Sequence, residues 1–164
     1  MAQAAVIAVA ELLRLLQAEA GLPLAAATLS RTGDELPPVS TTDIVNGQIG
    51  SDLLEKSAVS KYPSFFVYCE RVTNKLVEKF RTFSGSAELV IEVRVSHEHT
   101  DEVSRQLNAY VQAVTDVLDD NRGIWMRGVF YAGAYEITFQ PVKRGGKNFI
   151  QSARVRVETH VSVD

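Results

Sequence analysis

The stretch AELVIEVRVSH, residues 87–97, alternates two kinds of side chain over its length. Leu89, Ile91, Val93 and Val95 fall on one side of an extended chain while Glu92, Arg94 and Ser96 fall on the other, the period of a strand with one apolar face. The apolar side predicts a core contact; the charged side predicts a face that is wet or meets a partner. Two later stretches repeat the pattern. In a strand expected over 130–142, Tyr135, Ile137 and Phe139 alternate with Glu136, Thr138 and Gln140. In another over 149–163, Ala153, Val155, Val157, Thr159 and Val161 alternate with Arg154, Arg156, Glu158 and His160. Upstream, SFFVYCERV (64–72) sets Phe65, Val67 and Cys69 against Phe66 and Tyr68, a strand covered on both faces.

Between the strands lies one strong helical signal, HTDEVSRQLNAYVQAVTDVLDDNRG (99–123). Val103, Leu107, Tyr110, Val111, Val114, Val117 and Leu118 form a stripe at three- and four-residue spacing. Thr100 is the expected cap, Asp101 and Glu102 complement the dipole, and Gly123 is the expected stop. NKLVEKF (74–80) reads as a short helical turn and FSGS (83–86) as a break before the strand. At the N-terminus the apolar run is interrupted by Glu11, Arg14 and Gln17, with no Lys or Arg ahead of it; an amphipathic helix is expected rather than a signal peptide. Residues 24–60, rich in Gly, Pro, Ser, Thr and Asp, hold no period.

The predicted fold is therefore α+β, an antiparallel sheet of about four strands with helices packed on one face and a long N-terminal arm. One domain over 1–164 is expected: an N-terminal helix (1–21), a flexible arm (24–60) and a β-β-α-β-β core (61–164). With 17 basic and 20 acidic residues the chain carries no bulk charge for nucleic acid or an anionic membrane. Cys69 is the only cysteine, which leaves no intrachain disulfide and no CxxC metal site.

Signs of catalysis are thin. His97 and His99 share a strand face and with His160 would have to converge to bind zinc, yet the spacing is not HExxH and no cysteine is near. The serines lie in no GxSxG elbow. NGQIG (46–50) has the spacing of a nucleotide-clamping loop without its basic residues. PVKRGGKNF (141–149) joins two strands rather than opening a helix, so no helix amides face a phosphate there, and three cations without interleaved aromatics are too few for firm nucleic-acid binding. Gly145 and Gly146 are expected to supply positive φ to a tight hairpin that carries Lys143, Arg144 and Lys147 outward. Glu92, Arg94, Glu136, Gln140, Arg154, Arg156, Glu158 and His160 mix both signs on neighbouring strands, a pattern that suits cross-strand pairs or a charge-matched protein contact. Ile44, Val45, Ile49, Leu53 and Leu54 are available to anchor the arm on a neighbour.

In the order of FSG, the helix running into DNRGIW, YAGAYEITF and the GGKNFIQSARV hairpin, about the last hundred residues resemble tail terminator (tail completion) proteins of long-tailed bacteriophages. The resemblance implies a non-enzymatic virion protein with an α+β sandwich fold and no cofactor or metal. It implies a hexameric ring that caps the tail tube, stops its polymerisation and presents the surface that joins the head. Its partners would be copies of itself, the tail tube protein and a head connector or neck protein, with no membrane contact and with genomic DNA only passing through the lumen. Localisation would be the virion tail or neck, and the host cytoplasm during assembly. The interface candidates are Lys143, Arg144, Lys147, Arg154, Arg156, Glu92, Arg94, Ile44 and Ile49. Two alternatives stand beside it: a head-proximal connector ring subunit, and a small α+β enzyme or metal-binding domain using the His97/His99 region.

Overall fold

The computed structural model describes residues 2–33, 35–47 and 61–164. In chain order the elements are α1 (Ala2–Gln17), α2 (Leu22–Arg31), β1 (Ile44–Asn46), β2 (Ser64–Asn74), β3 (Phe83–His97), α3 (Thr100–Asp120), β4 (Gly123–Met126), β5 (Val129–Phe139), β6 (Lys143–Gly145) and β7 (Asn148–Val163). The longest pairing joins β3 to β7 antiparallel, with Leu89 opposite Val157, Ile91 opposite Val155 and Val93 opposite Ala153. β2 flanks β3, β5 flanks β7, and the sheet order is β1-β2-β3-β7-β5-β4, with β6 paired to the start of β7.

This corrects the expected four-stranded antiparallel sheet. The described residues form seven strands curled into a half-barrel, and β1 runs parallel to β2, although the broad α+β description stands. β1, β4 and β6 have only 3, 4 and 3 residues, too few for a two-residue period to be read.

The core lies between one face of the sheet and the helices. α1 brings Ala4, Ala8, Leu12 and Leu16, all fully buried, at four-residue spacing, and α3 brings its stripe of Val103, Leu107, Tyr110, Val111, Val114, Val117 and Leu118. Leu89, Ile91 and Val93 meet them from β3. The polar stripe of α1 is tied to the sheet edges: Gln17 donates to the Ile44 carbonyl at 2.8 Å and Arg14 to the Trp125 carbonyl at 3.2 Å. Capping of α3 differs from expectation. His99, not Thr100, is the N-cap, it makes no side-chain cap bond, and Gly123 opens β4 while the Asn121 amide closes the helix on the Leu118 carbonyl.

The described part of the expected arm is ordered structure. Pro23 lies in the first turn of α2, where its missing N–H costs nothing, and Leu22, Ala26, Leu36, Val39 and Ile44 are buried. Ile49, Leu53 and Leu54 lie outside the described residues. FSGS is no break either, because β3 starts at Phe83. A Cβ on Gly85 would meet the Thr73 carbonyl oxygen at 1.9 Å, so glycine permits close approach of two strands here. Residues 75–82 form a loop instead of a helical turn. No helix among the described residues is long and apolar enough to cross a membrane.

Candidate functional site

The sheet face turned away from the helices carries the charges. Register sets Phe66, Glu92, Arg154 and Thr138 in one row across four strands, and Tyr68, Val90, Arg156 and Glu136 in the next. At its centre this face is dry. Glu92 and Arg94 are each 5% exposed, with Arg94 Nη2 3.0 Å from Glu92 Oε1 and the guanidinium 4.9 Å from the centre of the Phe66 ring. Burial, and then the Glu92 charge, pushes the Tyr68 phenol up from its ordinary value. These two interface candidates therefore knit the face together instead of offering themselves outward.

Further along, the face opens into a concavity of about 690 Å³ lined by Glu70, Arg71, Glu88, Glu136, Arg156 and Glu158, among others. Arg71 pairs with Glu88, and Arg156 Nε lies 3.1 Å from Glu70 Oε2. Two exposed carboxylates, Glu136 and Glu158, have no ion-pair partner among the described residues. Glu158 also stands directly opposite Glu88 in the β3–β7 register, a like-charge pairing that disfavours the fold. A bulge between Cys69 and Arg71 turns the Arg71 side chain onto this face. Burial raises the Cys69 thiol, whose Sγ lies 3.5 Å from the Arg71 carbonyl, so this sulfur is held as a thiol and is no activated nucleophile.

The basic hairpin stands at the far end of β7. Gly145 pairs with Asn148, and Lys143, Arg144 and Lys147 are exposed. Only Gly146 takes a left-handed φ, +67°, which corrects the expectation that both glycines do. Gly145 serves space instead: a Cβ there would fall 2.3 Å from Ile150 Cδ1. One left-handed residue at the first loop position suffices for a two-residue hairpin.

Of the remaining candidates, Arg154 and Arg156 are half-buried within these rows and Ile44 is a core residue, 1% exposed. The histidines do not converge. The His97 and His99 rings lie 5.7 Å apart, and the His99 amide donates to His97 Nδ1. His160 faces Ser86, eleven residues along β3 from His97, roughly 36 Å of strand. Among the described residues no three His, Cys, Asp or Glu side chains are grouped to hold a metal ion.

Sequence reasoning missed the 75–82 loop, where Leu76, Val77 and Phe80 are 60%, 64% and 99% exposed. The loop is pinned rather than loose, with Asn74 Oδ1 accepting from the Leu76 and Ser84 amides and Ser84 Oγ from the Glu78 amide. Its signal was the Asn74 side chain, a residue type that bonds nearby backbone in turns. It missed Glu70 and Glu88 as well, although alternation already sets them on the outer face with Tyr68 and Glu92; Arg71 alone was hidden, because a bulge is invisible to alternation. No protein-family model matches this chain, and comparison with curated proteins returned no significant match.

Proposed function

We propose that the protein is a structural subunit of a long-tailed bacteriophage, acting as a tail terminator: a hexameric ring that caps the tail tube, stops its growth and presents the head-joining surface. The observation that carries this reading is the pair of unlike charged surfaces on one chain, a projecting basic hairpin and a distant concavity with uncompensated carboxylates. A ring requires each copy to offer two different patches, one to each neighbour. The resemblance of about the last hundred residues to tail terminators supplies the rest. The expected site of action is the virion, after assembly in the host cytoplasm. Omitting the protein from an assembling phage should give over-long tubes that fail to join heads, and immunogold labelling should mark the head-proximal end of finished tails. Tubes of normal length, or label at the distal tip, would sink the proposal.

A further inference from the structure

We infer that the basic hairpin of one copy seats in the acidic concavity of a second copy, with Lys143, Arg144 and Lys147 facing Glu136 and Glu158. The contact rests on the ring reading only for where it is used. The concavity's four glutamates exceed its two arginines, and both arginines are already engaged by Glu70 and Glu88, which leaves two negative charges over. The hairpin carries three cations with no ion-pair partner among the described residues. A chain cannot satisfy itself: from Asn148 at the tip to Arg156 in the concavity is eight residues of β7, roughly 26 Å of strand. The hairpin is also built for insertion, being two residues wide at its loop and held in register by the Lys143–Ile150 and Gly145–Asn148 pairs.

The Glu88–Glu158 juxtaposition gains a reason here, since a carboxylate repelled in the single chain is relieved by a neighbour's cation. Because the contact is mostly between exposed charges, it sets register and encounter rate more than tight affinity. It weakens with salt, by about tenfold or more between 50 and 300 mM.

Two full-length variants test it: K143E/R144E/K147E and E136K/E158K, each first shown by circular dichroism to fold as the parent does and to melt no lower. By sedimentation velocity at high protein concentration and low salt, the parent should self-associate and each variant alone should remain monomeric. Their equimolar mixture should associate again, because reversed hairpins meet reversed concavities and native hairpins meet native concavities. Variants that associate as the parent does, a mixture that stays monomeric, or a parent that never associates would each overturn the contact. A closed dimer obeying all the charge rules would keep the contact and sink the ring, so the two ideas fail separately.

Discussion

On β3 and β7 the side chains turned toward the helices and those turned away differ in kind, yet at the centre of the sheet they are almost equally dry. Leu89, Ile91 and Val155 are fully buried on one side; Glu92 and Arg94, on the other, are 5% exposed. Where the outer face opens, at Glu70, Arg71, Glu136 and Glu158, it meets water. Alternation thus reports which side chains share a face, not whether that face is wet. Charged residues on one face therefore differ: the central pair holds structure, and Glu136 and Glu158 have no ion-pair partner among the described residues.

The comparison breaks first if the inner face is not the core. Tyr110 is fully buried, packs edge-on against Phe65 at 5.8 Å and donates to the Pro37 carbonyl at 2.6 Å. Tyr110→Ala should cost about 4 kcal/mol in chemical denaturation, for the lost ring and the cavity it leaves. A loss under about 1 kcal/mol would place Tyr110 outside the core, because exposed substitutions fall in that range. Next comes the dry part of the outer face. Glu92→Ala should cost about 3 kcal/mol, since it strips a carboxylate from a buried guanidinium, whereas Glu136→Ala should change stability by less than about 0.5 kcal/mol. Equal small effects at both positions would show the whole outer face to be wet.

A smaller effect depends on pH. Burial, helped by the nearby Asp119 and Tyr135 charges, pushes the Tyr131 phenol up to about 12. Its hydroxyl has no hydrogen-bond partner among the described residues. In the unfolded chain a tyrosine titrates near 10, so the folded state holds its proton more firmly. The associated stability is complete below pH 10 and is lost as pH rises toward 12, by up to about 2 kcal/mol. Tyr131→Phe should therefore be nearly neutral at pH 7 and should unfold less steeply in alkali. Parent and variant losing stability in parallel from pH 10 to 12 would remove Tyr131 from the account.

The legible parts of the molecule are those long enough for a period to repeat. The β3 alternation and the α3 stripe were readable because 15 and 21 residues carry several cycles each. α2, with 10 residues opening on Leu-Pro, offered fewer than three turns and a proline that reads as a stop until it is placed in a first turn. Gly85 was read by its usual meaning, a break, whereas its missing side chain lets β2 and β3 close up. The candidate site was half legible. Lys143, Arg144 and Lys147 sit at a turn any reader would mark, but the concavity gathers side chains from β2, β3, β5 and β7, and only the pairing register brings Glu88 opposite Glu158.

That juxtaposition yields the smallest prediction and the one that separates the two parts of the outer face most finely. Glu158 is exposed and has Glu88 directly across from it; Glu88 already has Arg71. Glu158→Gln removes the repulsion with little change of shape, so the isolated chain should gain about 0.3 kcal/mol, within the range of a single cross-strand pair. For a chain of this length that is roughly 1 °C in Tm, resolvable by calorimetry at low salt. The gain should disappear above about 0.5 M salt, where exposed charges are screened within a few ångströms. The same change should weaken association of the full protein, because it removes one carboxylate that the hairpin would meet. Stability and assembly moving in opposite directions is the signature of a charge placed for a partner. If Glu158→Gln instead lowers Tm, that carboxylate belongs to the fold, as Glu92 does, and the division of the outer face into structural and binding charges fails at that residue.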